Sequence, residues 1–253
     1  GLVTGHAHHH ARRSGMVVVG YTPTVFPVRR SGADGTARLY QASYEEECRS
    51  WESQPRDILL NLWGGHFSMG RSDCLAVGLQ SPDFPDIYNE DQDFGLRCRR
   101  AGLAPVFDRQ LTATHFYRRS PAAFFDDARS SGMAAWLVHQ LHSDLVGPLL
   151  PDLVALRWPR LSSLVDRSAA KPRFGAAVIA SLCRGAQLTG RLHWWAAETT
   201  CLRAGRWLAC RHGIRAAALA AGDGPGSISL PRRGGKAQTA GSSYPTRIRS
   251  QNV

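Results

Sequence analysis

An acidic segment at the start of a helical pattern constrains the fold of this chain more than any other feature. Residues 89–102 read NEDQDFGLRCRRAG, with Glu90, Asp91 and Asp93 in the first turn and Gly102 at the end. Acids in the first turn and arginines in the last turn stabilise a helix through its dipole, and glycine commonly ends one. We therefore predict a helix here. Capping explains one or two of the acids, so the third indicates a function.

Two further patterns predict an α/β core. The continuous apolar run at residues 16–21 suits a buried strand, and residues 36–52 carry apolar side chains at helical spacing. Three successive side chains diverge around a helix and cannot converge on one ion. We therefore interpret Glu45, Glu46 and Glu47 as part of a solvated face. Shorter elements are expected as a helix at residues 72–78 and as strands at residues 106–107 and 112–115.

The chain opens with a histidine-rich segment. Residues 1–11 have the composition of a helix, and their histidines are His6, His8, His9 and His10. We expect these side chains to lie on an exposed helix. Adventitious metal binding by the cluster is the alternative.

Charge is divided unevenly along the chain. Residues 1–130 contain 15 Arg and 15 Asp plus Glu, whereas residues 131–253 contain 16 Lys plus Arg and five acids. The formal net charge of +11 therefore lies in the second half. We divide the chain into an α/β domain (1–130), a basic helical extension (131–215) and a disordered tail (216–253).

The basic extension attracts anions, which include phospholipid head groups, a polyprenyl diphosphate and nucleic acid. A general bias toward arginine is the alternative reading. No nucleic-acid-binding motif is present, so a nucleic-acid partner is not expected. The helix with Leu188, Leu192, Trp195 and Leu202 could lie on an anionic membrane surface or pack against the first domain. Helical patterns cover residues 124–145, 151–165 and 174–211, and the last is expected to be interrupted near Gly185 and Gly190.

Cysteine usage and hydropathy bear on location. The six cysteines form no CxxC pair and no disulfide-like rhythm, which favours a reducing compartment. The sequence has no signal-peptide pattern and no apolar run of about 18 residues that could cross a bilayer. We therefore expect a cytoplasmic protein. Peripheral contact with the inner face of the cell membrane is compatible with this expectation.

The acidic segment follows a glycine turn at Gly64 and Gly65, which lets a ligand approach the main chain closely. A carboxylate at the edge of such a cleft can take a proton from a hydroxyl nucleophile, and burial beside other acids raises its pKa toward a useful range. Acid clusters can also hold a divalent cation. The triplet Asp91-Gln92-Asp93 is compatible with both chemistries, although D-x-D alone is a weak signal.

The order and spacing of four blocks resemble the later, acceptor-binding half of family 2 glycosyltransferases with a GT-A fold. The blocks are GGHFSMGR at 64–71, NEDQDFGLR at 89–97, RAG at 100–102 and TH at 114–115. The resemblance implies a partial, Rossmann-like mixed sheet with flanking helices over residues 1–130, followed by the helical extension and tail. It also implies that a nucleotide-binding half with an Asp-x-Asp metal site is missing, so we expect a fragment with little or no transferase activity alone.

The resemblance assigns roles by position. Asp91 would act as general base, Glu90 would orient the acceptor, and the glycine turn would shape the sugar pocket. His66 stands where the family commonly has Asn, which departs from the pattern. His115 matches a position that binds the catalytic metal in some relatives, and a structural role is its alternative. The predicted substrate-binding residues are Trp63, Gly64, Gly65, His66, Asp93 and Arg97.

The leading hypothesis is an inverting, metal-dependent glycosyltransferase. It would transfer a hexosyl group from a nucleotide sugar to a hydroxyl of a glycan or lipid-linked acceptor, using Mg²⁺ or Mn²⁺ whose main ligands lie in the missing half. One alternative is a non-catalytic basic adaptor that binds an anionic membrane surface. Another is a degenerate remnant with a bare sheet edge.

Overall fold

The computed structural model is a mixed α/β protein with a small three-stranded sheet and many helices. It describes residues 1–26, 28–31, 34–79, 81, 83–84, 88–147, 149 and 171–222. The elements in chain order are α1 (Leu2–Arg12), β1 (Met16–Tyr21), α2 (Gly35–Ser53), a 3₁₀ helix (Pro55–Leu60), β2 (Phe67–Met69), α3 (Arg71–Val77), α4 (Glu90–Arg100), β3 (Ala104–Thr112), α5 (Pro121–His142), α6 (Pro172–Arg191) and α7 (Trp195–Ala220).

The apolar run predicted as a strand is the central strand of the sheet. The strand order is β2-β1-β3, with β1 antiparallel to β2 and parallel to β3. Side chains alternate between the faces of a strand, and β1 is buried on both faces. Val17 and Val19 pack with Trp51 of α2, whereas Val18 packs with Leu111 of β3. Helices therefore cover the sheet and position the loops at its ends.

Two local predictions in this core were wrong. Residues 104–112 form one strand instead of two short ones, and its polar middle lies at the sheet edge, where the pairing with β1 is irregular. The acids of α2 do not form one solvated face, because Glu47 is buried and Glu45 accepts a hydrogen bond from Tyr21, whereas Glu46 is exposed. The contact of Glu45 is with another element, and helical spacing alone does not reveal it.

The helical extension packs directly on the α/β part. The predicted boundary at residue 130 falls inside α5, which lies against α7 with the two backbones in close approach. A Cβ atom on Gly132 would stand 2.1 Å from the carbonyl oxygen of Cys210, and one on Gly213 would stand 1.9 Å from that of Arg129. Larger residues at these two glycines would force the helices apart.

The helices of the extension differ in their limits from the predicted patterns. The break in the pattern 174–211 comes between α6 and α7, at the left-handed His193, and α6 continues through Gly185. The last helix runs to Ala220, past the predicted start of the tail. The predicted helix at 151–165 and residues 223–253 lie outside the described residues. No helix in the described part of the chain is long and apolar enough to cross a membrane.

Candidate active site

The Asp91 carboxylate connects the glycine turn to the start of α4. Its Oδ2 accepts a hydrogen bond from the Gly64 backbone N–H at 2.9 Å, and its Oδ1 accepts one from the Gln92 N–H at 2.8 Å. The helix starts here because Asn89 turns the chain with a left-handed conformation (φ 59°, ψ 9°). The Asn89 side chain does not cap the helix, since its Nδ2 donates to Gln92 and its Oδ1 accepts from Ser131.

The surroundings of Asp91 make it a stronger base than an ordinary carboxylate. Burial and, to a smaller extent, the neighbouring charge of Glu90 raise the pKa of Asp91 to about 6, against the opposing hydrogen bonds from Gly64 and Gln92. A carboxylate with this pKa is mostly ionised at neutral pH. It can accept a proton from a hydroxyl group more readily than a carboxylate whose pKa is unshifted.

The two glycines of the turn differ in their surroundings. A Cβ on Gly64 would lie 2.9 Å from the Cβ of Asp91, so this position is closed to any side chain. A Cβ on Gly65 would meet nothing within 4 Å, and Gly65 is exposed. Asp91 therefore closes the position of Gly64 to a side chain, whereas Gly65 has open space around it.

This difference provides a matched pair of substitutions. Gly64→Ala is expected to displace Asp91 and to lower the free energy of unfolding by about 1–3 kcal/mol, the usual result of overpacking. Gly65→Ala is expected to change it by no more than about 0.5 kcal/mol. Urea unfolding of both variants measures the difference. Equal losses would show that Asp91 does not pack against Gly64 in solution.

Aromatic side chains connect Trp63 to His115. The ring centroid of Tyr40 lies 5.4 Å from that of Trp63, 5.2 Å from that of His115 and 4.3 Å from that of Tyr117, on which it stacks. The charge of Asp91 is one of the groups that raise the pKa of Tyr40, so the carboxylate lies near this cluster. Trp63 Nε1 is buried with no hydrogen-bond partner in the structure.

Sequence patterns gave no functional role to Tyr40 or Tyr117. Tyr40 has the spacing of a core residue of α2, and Tyr117 lies in a segment without regular structure. Their contacts with His115 span different elements of the fold. Tyr40 lies close to His115, the residue that the family resemblance matched to a metal-binding position. This proximity would identify Tyr40 as a candidate, but only the three-dimensional structure shows it.

His115 is suited to one part of its predicted role. Burial lowers its pKa, which favours the neutral imidazole that binds metals. Its Nδ1 lies 3.5 Å from Thr24 Oγ1, and its backbone pairs with the segment that follows β1. Among the described residues, no three His, Cys, Asp or Glu side chains converge on a possible metal position. His115 could therefore supply one ligand, and the metal stays a prediction.

The structure places Asp93 and Arg97 away from this cluster, in contact with protein groups. Asp93 is buried, its Oδ2 accepts from Arg97 Nε at 2.9 Å, and its Oδ1 accepts from His142 Nε2 at 2.7 Å. Arg97 also donates to the carbonyl oxygens of Val77 and Gly78 and retains one buried donor, Nη2, without a partner. The two acids of the D-x-D triplet thus have different surroundings, and only Asp91 contacts the glycine turn.

His66 contacts α1 and does not contact Asp91. Its Nε2 lies 2.9 Å from Nε2 of His6, and a hydrogen-bonded chain continues from His6 Nδ1 to Ser68 Oγ (2.7 Å) and on to His10 Nε2 (2.8 Å). His6 is only 8% exposed. The prediction of an exposed histidine helix was therefore wrong for His6, because its partners lie on and beside β2, far along the sequence.

This contact predicts acid sensitivity. Burial lowers the pKa of His6 below 6.5, and His66, His10 and His9 lower it further, against the opposing charge of Asp108. Below pH 6.5, His6 binds a proton in the unfolded chain more readily than in the folded protein. The contribution of His6 to stability therefore falls as the pH drops through that value. We expect the contribution of His6 to the free energy of unfolding to decrease from about pH 7.5 to about pH 5.5. The titration of Asp91 acts on stability in the opposite direction over this range, so the contribution of His6 is measured as the difference between the natural sequence and a His6 variant.

Two variants test the acid sensitivity. His6→Gln should flatten the dependence on pH, whereas His8→Gln, at an exposed position of the same helix, should leave it unchanged. Unfolding in urea at each pH provides the measurement. A curve for His6→Gln with the slope of the natural sequence would contradict the assignment.

A separate cleft of about 750 Å³ adjoins the aromatic cluster. Tyr117 contributes to its wall, but Asp91 and Gly64 do not. Its size suits a small ligand. It is lined by Val25, Phe26, Asp34, Ala37, Phe116, Tyr117, Arg118, Arg119, Ser120 and Pro121. The stacked pair of Tyr40 and Tyr117 lies between this cleft and Trp63.

Comparison of the chain with known protein families, with curated proteins and with solved structures found no match.

Proposed function

We propose that this chain carries the acceptor-binding part of a glycosyltransferase of the family 2 type with a GT-A fold. The observation that carries the proposal is the position of Asp91. Its carboxylate has a raised pKa and accepts a hydrogen bond from the N–H of Gly64, the residue before the exposed Gly65. In the proposal, the acceptor hydroxyl approaches this base from the side of Gly65.

In the proposed reaction the Asp91 carboxylate takes the proton of the acceptor hydroxyl as its oxygen attacks the anomeric carbon of a nucleotide sugar. The new carbon–oxygen bond forms while the bond to the diphosphate oxygen breaks, so the nucleoside diphosphate leaves and the configuration inverts. Glu90 keeps the pKa of Asp91 high and orients the acceptor. Trp63 donates its unpartnered Nε1–H to a sugar hydroxyl, which satisfies a buried donor.

A divalent cation, Mg²⁺ or Mn²⁺, would stabilise the charge of the leaving diphosphate, with His115 as one ligand. The neutral imidazole and the neighbouring aromatic rings support this assignment. In the described part of the chain, no group of three His, Cys, Asp or Glu side chains could hold the ion.

The test is acceptor-dependent release of nucleoside diphosphate. The protein encoded by the longest open reading frame that contains this chain is purified. It is incubated with a panel of uridine, guanosine and thymidine diphosphate sugars, with Mg²⁺ or Mn²⁺, and with mixed glycan and lipid-linked acceptors. We expect release with at least one donor that increases with acceptor. Binding of no nucleotide sugar and release from none would contradict the proposal.

A further inference from the structure

The outer face of α6 combines arginines with exposed apolar side chains. Arg173, Arg184 and Arg191 are all exposed and are separated by 11 and 7 residues, which is about three and two turns of a helix. They therefore lie in one row. Exposed apolar side chains lie on the same helix and in the turn that follows it, with exposed fractions of 57% for Phe174, 58% for Leu188, 47% for Leu192 and 62% for Trp194.

The opposite face of α6 is the one that packs on the protein. Ala186 is buried in a cluster with Phe125 of α5 and Leu202 of α7, and Ile179 and Leu182 pack against the same cluster. The arginine row and its apolar neighbours therefore do not serve the core. Phe174 lies near the start of α6, and Leu188, Leu192 and Trp194 lie at and just after its end. Exposed apolar side chains at both ends of a row of arginines indicate a binding surface.

The segment that contains α6 and α7 is strongly basic. Residues 171–222 contain eight Lys plus Arg and one acid, Glu198. Glu198 is only 2% exposed and accepts a hydrogen bond from Arg30, so it does not offset the arginines of α6. A partner for this face must be anionic and must accept apolar side chains.

The structure divides the segment that the sequence suggested for this surface, because Leu188 and Leu192 are exposed whereas part of α7 is buried. Leu202 and Arg206 of α7 are buried, and Trp195 lies under the guanidinium of Arg30 at 4.5 Å. These residues join α7 to the rest of the protein and leave α6 as the exposed amphipathic helix.

We propose that the outer face of α6 binds the surface of an anionic lipid bilayer. Arg173, Arg184 and Arg191 contact the phosphate and carboxylate head groups, while Phe174, Leu188, Leu192 and Trp194 enter the boundary between head groups and acyl chains. Tryptophan is enriched at this depth because its ring is apolar and its N–H is polar. The proposal goes beyond sugar transfer and does not depend on it.

The experiment is vesicle flotation with the full chain, using vesicles of phosphatidylcholine with phosphatidylserine and vesicles of phosphatidylcholine alone. We expect binding to the anionic vesicles at low ionic strength and weaker binding at high ionic strength. Arg173→Gln, Arg184→Gln and Arg191→Gln together should lower the partition coefficient about a hundredfold. The matched control replaces with Gln three exposed arginines away from α6 and should have a much smaller effect. They are Arg12 at the end of α1, Arg13 directly after it and Arg71 at the start of α3.

A second variant separates insertion from simple charge attraction. Leu188→Ser with Trp194→Ser leaves the charge unchanged and should lower binding about tenfold or more, because apolar area no longer leaves water. Circular dichroism verifies that each variant is folded. Equal losses from the two arginine triples, no loss from the serine pair, absence of binding to anionic vesicles, or binding to nucleic acid in place of vesicles would each overturn the proposal.

Discussion

Replacing Asp91 with Asn is expected to lower the turnover of sugar transfer by about 10²–10⁴-fold, the usual contribution of a general base. Asparagine keeps an oxygen that can accept from the Gly64 N–H, so the turn should keep its shape. It has no basic site for the proton of the acceptor hydroxyl. The assay is release of nucleoside diphosphate with the best donor and acceptor found.

The same substitution should make the folded protein more stable at neutral pH. The pKa of Asp91 is about 6 in the folded protein against 3.8 for an ordinary aspartate, so ionised Asp91 opposes folding at pH 7. We expect Asp91→Asn to raise the free energy of unfolding by about 1–3 kcal/mol at pH 7, since one pKa unit corresponds to 1.36 kcal/mol. This gain in the free energy of unfolding should shrink as the pH falls through 6. It should vanish below 3.8, where Asp91 is protonated in both the folded and the unfolded protein.

Two controls accompany this variant. Asp126→Asn makes the same chemical change at an exposed position of α5 and should alter neither property. Glu90→Gln removes a charge beside Asp91 and should move the acidic limb of the pH–rate profile to lower pH without abolishing transfer. Retained turnover in Asp91→Asn would remove the base assignment, and loss of both turnover and stability would point to a structural role.

Replacing Asp93 with Ala is expected to lower the free energy of unfolding by about 3–5 kcal/mol, the usual cost of removing one partner of a buried ionic group. Arg100 Nη1 donates to His142 Nδ1, so the proton of this imidazole is on Nε2, which donates to Asp93. Alanine at position 93 would leave that N–H and the Nε–H of Arg97 buried without an acceptor. Helices α4 and α5 would lose their central polar contact.

A neighbouring ion pair offers the matched control. Asp144 also connects the end of α5 to α4, through Arg100, but both side chains are largely exposed. Asp144→Ala should therefore change stability little, because water screens such pairs. Unfolding in guanidinium chloride of the two variants gives the comparison. Similar losses would contradict a buried role for Asp93.

The fold could be predicted from the sequence where local patterns decide it. The unbroken apolar run predicted β1, and the helical spacing predicted α2 and α4. The structure confirms all three elements. The contact of Asp91 with Gly64 spans 27 residues, and helical periodicity gives no information on it. Only the order of the sequence blocks suggested it.

Contacts between distant elements account for the parts that could not be predicted. Asp93 pairs with His142, 49 residues away on α5, and His6 pairs with His66, 60 residues away beside β2. A pattern within one helix identifies its buried face but does not identify the partner on another element. The same limit explains why Arg206 of α7 proved to be buried, whereas Arg173, Arg184 and Arg191 of α6 are exposed.

The proton affinity of Asp91 is the property on which the proposed chemistry rests. It can be measured by carbon-13 NMR titration of the side-chain carboxyl groups, with Asp91→Asn to assign the signal. We predict a midpoint near pH 6 for the Asp91 carboxyl. A midpoint near that of an ordinary aspartate, about 3.9, would show a solvated carboxylate and contradict its role as the base.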